Sequence, residues 1–225
     1  MREIVLDTET TGLDPAAGHR VVEVACLELA SHIPTDRHFR RYVNPQREMP
    51  EDARAVHGLD DAFLAQQPLF ADVVDDFLAF IGDAPLIIHN AQFDLKFLNA
   101  ELARIERPPL ETARAIDTVA LARARFPGAQ ASLDALCRRF GIDNSARSLH
   151  GALLDCELLA EVYLELRGGR QPGLELTAER RAAPNAGAIA GTRPARPARP
   201  HAPSAEESAA HEAMLARLKN PVWRA

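Results

Sequence analysis

Hydrophobic and polar positions along the chain keep a readable rhythm up to about residue 168 and lose it afterwards. Short apolar runs come first. Ile4-Val5-Leu6 predicts a buried strand over residues 2–6, residues 21–30 a second strand, and residues 37–44 a third, joined as an antiparallel meander. The period then changes. Leu69, Val73, Phe77, Phe80 and Ile81 have helical spacing over 69–81. A short buried strand follows at 85–89 and a helix at 92–105. A further strand falls near 114–117, with helices at about 117–125 and 132–140, the second capped by Ser132. A long helix over 152–167 stops at Gly168-Gly169. Three strands followed by strand–helix alternation predict an α/β domain: a mixed sheet with helices packed on it.

Beyond residue 170 the large apolar residues nearly vanish. The stretch "RRAAPNAGAIAGTRPARPARPHAPSAEE" cannot bury enough surface to order itself, and its Pro-Ala-Arg portion favours an extended, semi-rigid spacer. The expected organisation is therefore a folded domain over 1–170, a disordered linker over 171–207 and a tail over 208–225. In that tail Met214, Leu215, Leu218, Val222 and Trp223 form an amphipathic pattern with an aromatic anchor, suited to a partner's groove.

One feature of the first strand runs against a purely structural reading. The stretch "VLDTETTG" sets Asp7 and Glu9 two residues apart, so in a strand both carboxylates aim the same way. Asp94 falls in the first turn of the helix after "IIHN", where the helix dipole alone would explain it. Asp155 lies within the long helix, with His150 five residues earlier. Five helical residues turn through about 500°, so His150 shares a site with Asp155 only from the loop leading in. There a mobile imidazole above a fixed carboxylate suits a general base. Four carboxylates gathered together repel one another and need cations to neutralise them. Oxygen ligands select hard ions, Mg²⁺ or Mn²⁺. Two such ions about 3.5–4 Å apart form the clamp for in-line phosphodiester hydrolysis.

Charge and cysteines narrow the classes further. Residues 1–170 hold 18 basic and 27 acidic side chains, a net charge of −9, which argues against a body held on DNA by a broad basic surface. Cys26, Cys137 and Cys156 are far apart and form no CxxC pair, so reduced thiols in a cytoplasmic protein are expected. No apolar run reaches the ~20 residues of a membrane span, and "MREIVLDTET" turns acidic too early for a signal peptide.

"DTETTG", "HNAQFD" and "HGALLD" resemble, in order and spacing, the three motifs of the DEDD exonuclease family, histidine subgroup. "VHGLDDAFL" (56–64), "LHGALLDCELLAEVYLELRGG" (149–169) and "AAHEAMLARLKNPVWRA" (209–225) extend the likeness to the epsilon proofreading subunits of bacterial DNA polymerase III. The resemblance implies an RNase H-like fold with a five-stranded mixed sheet. It also implies 3′→5′ removal of mispaired terminal nucleotides as 5′-monophosphates. Carried across by motif position, Asp7, Glu9, Asp94 and Asp155 serve two divalent ions, and His150 deprotonates the attacking water. Asp7, Glu9 and Asp155 also face substrate, with Asp52 and His57 contacting the terminal nucleotide. Asp52 stands where the family commonly has Glu. The implied partners are DNA 3′ ends, the polymerase alpha subunit through 208–225, and a small accessory subunit, within a nucleoid-associated replisome. Residues 170–176, "RQPGLEL", resemble the Gln-x-x-Leu segments that bind the sliding clamp. The same motifs serve freestanding RNA-trimming exonucleases. A purely structural polymerase subunit is a third reading, one that gains nothing from clustered carboxylates.

Overall fold

The structure, a computed structural model, describes residues 1–145, 149–169 and 202–217. The chain divides into two units, Met1–Leu176 and Thr177–Ala225. In the first, strands β1 (Arg2–Thr10), β2 (Val21–Ala30) and β3 (Ile33–Tyr42) form the meander. Two short helices follow, α1 (Glu51–His57) and α2 (Asp61–Leu64), then α3 (Phe70–Ile81), β4 (Leu86–Ile88) and α4 (Ala91–Arg104). The unit closes with β5 (Ala115–Asp117), α5 (Thr118–Arg125), α6 (Leu133–Phe140) and α7 (Ala152–Leu166). The sheet order is β3-β2-β1-β4-β5, antiparallel within the meander and parallel across β1, β4 and β5. This is the mixed five-stranded sheet that the sequence predicts.

Alternation along β1 assigns each side chain to one of two cores. Ile4 and Leu6 pack with Val24, Cys26, Leu86 and Ile88 beneath α3 and α4. Val5 packs with Ala25, Leu27 and Ile87 beneath α5, α6 and α7. Ile4, Val5 and Leu6 are fully buried, worth about 1.5–3 kcal/mol each. The consequence for chemistry is direct. Odd-numbered residues of β1 look toward α7, and even-numbered ones toward α4.

β1 runs four residues further than the apolar pattern predicts, to Thr10. Its ladder with β2 continues through Asp7↔Ala25 and Glu9↔Glu23 to Thr10↔Val21, with a register irregularity at Glu9/Thr10. Asp7 and Glu9 therefore stand inside the strand, not beyond its end. Ladder pairing carries the polar residues where hydrophobicity cannot. The third strand starts at Ile33, before the expected 37, because it pairs with β2 through Ala30↔Ile33. α1 and α2 have seven and four residues and leave too little periodicity to stand out.

In the second unit, α8 (Ala205–Leu215) begins three residues before the expected tail. Ser204 caps it, its Oγ accepting from the Glu207 amide while Glu207 accepts from the Ser204 amide. Leu218, Val222 and Trp223 of the expected amphipathic segment lie outside the described residues, as does the clamp-like segment 170–176. Among the described residues no helix is long and apolar enough to cross a membrane.

Candidate active site

Three elements converge at the C-terminal part of β1. Asp7 and Glu9 come from its α7-facing side. Asp155 comes from the first turn of α7 and is buried. The geometry is consistent along the whole pair. Glu3, at the other end of β1, accepts from the Tyr163 hydroxyl at 2.9 Å. Residues 155 to 163 rise about 12 Å along a helix and residues 3 to 7 about 13 Å along a strand, so the two scaffolds keep step.

Asp94 arrives from the opposite face. It occupies the first turn of α4 and is buried, and its Oδ1 accepts from the Thr8 amide at 3.1 Å and the Thr8 hydroxyl at 2.7 Å. Thr8 thus hooks α4 to the strand between the two acidic residues. Asn90, before α4, adopts a left-handed conformation (φ 67°), and Asp117 accepts from its amide at 3.1 Å.

His150 sits two residues ahead of α7, on the approach to the helix. Its amide donates to the Val56 carbonyl at 3.0 Å, and its Nδ1 lies 3.4 Å from Asp155 Oδ2. The side chain remains about half exposed (47%). Gly58 makes this approach feasible. It ends α1 with φ 76°, and a Cβ there would meet the Leu149 side chain at 2.8 Å.

Asp7, Glu9, Asp94, His150 and Asp155 line one cleft of about 330 Å³, with Phe93, His89 and Asp134. Donor atoms of Glu9, His150 and Asp155 lie within 4.8 Å of one another. Burial, and then the charges of Asp94, Glu9, Asp155 and Glu23, hold the Asp7 carboxyl well above its ordinary value. Burial likewise pushes Asp94 up, against the Thr8 hydrogen bonds that favour its ionised form. Each divalent cation placed here would reverse that penalty. The donors are carboxylate oxygens with one imidazole, a set that fits Mg²⁺ or Mn²⁺.

Asp52 and His57 line an adjoining cleft of about 540 Å³, which shares Thr8, Glu9 and Phe93 with the first and adds Thr10, Leu13 and Val56. His57 is buried, and its Nδ1 accepts from the Leu59 amide at 3.1 Å. That leaves Nε2 as the protonated nitrogen of the neutral tautomer, buried toward the Thr10 backbone without a well-formed hydrogen bond among the described residues. Burial holds the imidazole below its ordinary pKa and the charge of nearby His150 adds to this, while the Thr10 backbone works the other way. Thr8, Asp134 and Glu23 escape a motif-based reading, because their roles depend on what each faces across the fold.

A profile of the exonuclease family matches residues 4–163, almost the whole first unit. A DNA polymerase III subunit epsilon of Salmonella typhimurium is 43% identical over 100% of this chain and 98% of its own. The subunit of that name from Rickettsia felis is 55% identical over 78% of each chain. Among solved structures, exonuclease X in complex with 5′ overhanging duplex DNA is 26% identical with a TM-score of 0.57, covering 73% of this chain and 90% of its own. The nuclease domain of 3′hExo, a DEDDh family member bound to rAMP, has a TM-score of 0.64 at 20% identity over the same shares, a likeness of fold. Fold and sequence together define an exonuclease of the RNase H-like class. Within that class the chain belongs to the DNA polymerase III epsilon-subunit family.

Proposed function

We propose that this chain is the 3′→5′ proofreading exonuclease of a replicative DNA polymerase, removing a mispaired 3′-terminal nucleotide as its 5′-monophosphate. The convergence of four carboxylates and one half-exposed histidine on a single cleft carries this reading. Asp7, Glu9, Asp94 and Asp155 would hold two divalent ions. Bound there, the ions supply Lewis acidity to the attacking water and to the leaving 3′-oxygen.

The chain's own residues do the rest. With Nδ1 directed at Asp155, His150 presents Nε2 as the basic nitrogen that takes the water's proton. Its exposed setting lets the ring move when the substrate end arrives. Phe93, Leu13 and Val56 offer an apolar wall for a terminal base, since all three line the neighbouring cleft. His57 and Asp52, which line that cleft, contact the terminal nucleotide. Fraying delivers a mispaired end more readily than a paired one, because unpairing costs less there.

Association with the polymerase runs through residues 208–225 and the alpha subunit. Residues 170–176 add a contact to the sliding clamp. Tethering raises the local concentration of primer ends to roughly millimolar, so the acidic body needs little intrinsic DNA affinity.

The deciding experiment is the double substitution Asp7→Ala with Glu9→Ala in the full chain, assayed on a mismatched primer. Mononucleotide release should vanish while the circular dichroism spectrum stays that of the parent. Cleavage at the parental rate would overturn the assignment.

A further inference from the structure

Glu23 is a buried carboxylate (1% exposed) beside the cleft that the motifs do not include. It stands directly across the ladder from Glu9, in the register Glu9↔Glu23. Being odd-numbered in β2, like Ala25 and Leu27, it points to the α7 side. Its two oxygens are divided between two jobs. Oε1 accepts from Arg40 Nε of the edge strand β3 at 2.6 Å, and Oε2 accepts from the Ala152 amide at 3.4 Å.

That second bond falls at a weak point of the fold. α7 starts at Ala152 after Gly151, which offers no side-chain cap. The first amides of a helix have no partner within it and need one from outside. Here the partner comes from the sheet. The helix end so held carries Asp155 three residues on, and His150 two residues before. Burying an acidic side chain among other acids is costly unless a cation faces it, and Arg40 supplies one. Arg40 is itself fixed, by its bond to the Tyr42 hydroxyl and by stacking 4.8 Å over the Tyr42 ring. The chain of contacts runs from the edge strand to the helix end: Tyr42, Arg40, Glu23, Ala152.

We propose that the Glu23–Arg40 pair is a positioning strut, setting the distance between the strand carboxylate Glu9 and the helix residues His150 and Asp155. It touches neither substrate nor the reacting atoms. It acts by fixing where α7 begins. The inference rests on the exonuclease reading above for its kinetic consequence, but not for its structural one.

The test uses the full chain with Glu23→Gln and, separately, Arg40→Met. Glu23→Gln keeps the shape and exchanges one acceptor oxygen for a donor nitrogen. Three quantities are read: kcat and KM on a single-stranded DNA 3′ end, the melting temperature, and the Ala152 and His150 amide signals of metal-free, DNA-free protein by ¹H–¹⁵N NMR. Both variants should lose about tenfold in kcat with KM within twofold. Both should displace the Ala152 and His150 amide signals. A core variant remote from the cleft, Ile81→Val, provides a comparison for general destabilisation and should keep the parental kcat. If Glu23→Gln fails to fold, Arg40→Met carries the test alone. Parental kcat in a folded variant would overturn the strut, as would amide signals that stay in place. A parent protein that releases no mononucleotide would instead overturn the exonuclease reading, with the amide signals still reporting on the strut.

Discussion

Thr8 gives Asp94 two hydrogen bonds on one oxygen, from its amide at 3.1 Å and its hydroxyl at 2.7 Å. The residue between the two strand acids thereby holds the third acid, which comes from the other face of the sheet. Thr8→Val keeps the volume and the amide bond and removes the hydroxyl. Bonds to charged groups are worth about 1.5–3 kcal/mol, so this single loss should be felt. We expect divalent-ion affinity to fall and exonuclease rate to drop about tenfold, with the larger deficit at lower pH, because Asp94 loses a contact that favours its ionised form. Mn²⁺ titration at pH 6.5 and 8 beside steady-state cleavage measures both. A rate within twofold of the parent would show that the hydroxyl is dispensable.

His150 and Asp155 touch at 3.4 Å but differ in setting, one half exposed on a connecting segment and one buried in a helix. Their replacements should therefore separate. His150→Ala should slow cleavage by about 10²–10⁴-fold, the usual contribution of a general base, while leaving Mn²⁺ affinity within a few-fold. Asp155→Asn should lose both. Isothermal titration with Mn²⁺ distinguishes them. If His150→Ala abolished ion binding as fully as Asp155→Asn, the imidazole would be a ligand and another group would have to take the proton.

Burial raises the Asp94 carboxyl to about 7, and the sign of its effect on stability follows. Between its ordinary value near 3.8 and about 7 the unfolded chain has lost this proton while the folded chain keeps it. The folded state then binds more protons, and its stability declines as pH rises through that window. Asp7 is raised too and acts in the same direction. Asp94→Asn removes the ionisation while its amide oxygen can still accept from Thr8. Without metal at pH 8 we expect the variant to be more stable than the parent by about 1–2 kcal/mol, roughly 2–8 °C in melting temperature. The advantage should shrink toward pH 4. Added Mn²⁺ should stabilise the parent and reverse the order at pH 8. Parallel melting curves across that range, with and without Mn²⁺, check it. A gap that does not change with pH would mean that ionisation of Asp94 is not what the substitution removes.

Much of this arrangement is legible along the chain, for identifiable reasons. The strand and helix periods place β1 to β5 and α3 to α7 within a few residues, because each element buries a continuous face. The spacing of Asp7 and Glu9 predicts their shared side, and the helical turn angle puts His150 on the segment leading into α7, where the structure has it. What escapes is whatever depends on partners distant in sequence. Nothing near Glu23 reveals that it faces the Ala152 amide 129 residues away. The extension of β1 to Thr10 depends on pairing with β2, and hydrophobicity is blind to that. Asp52 and His57 turn out to border a second cleft beside the carboxylates, a separation only packing defines.

Among the described residues, the apolar clusters that hold the first unit draw on none later than Leu166. α7 also finishes its own end there. Arg167 donates to the Tyr163 carbonyl, Gly169 donates to the Leu164 carbonyl at 2.9 Å, and both closing glycines have positive φ. A chain ended after residue 170 therefore keeps the contacts that stabilise the sheet and the carboxylate cleft. We expect such a truncation to melt within about 2 °C of the full chain, given that it removes no residue of these clusters. It should degrade single-stranded DNA from the 3′ end at the parental rate. Its association with the polymerase alpha subunit should be lost, because the apolar residues assigned to that contact, Met214 to Trp223, are gone. Proofreading in the reconstituted polymerase should then fall by the factor that tethering supplies, about 10²–10⁴ at submicromolar protein. Co-purification with the alpha subunit, scored beside mismatch removal at matched concentrations, measures both effects. Retained co-purification would place the polymerase contact on the first unit, and parental mismatch removal would show that tethering is unnecessary.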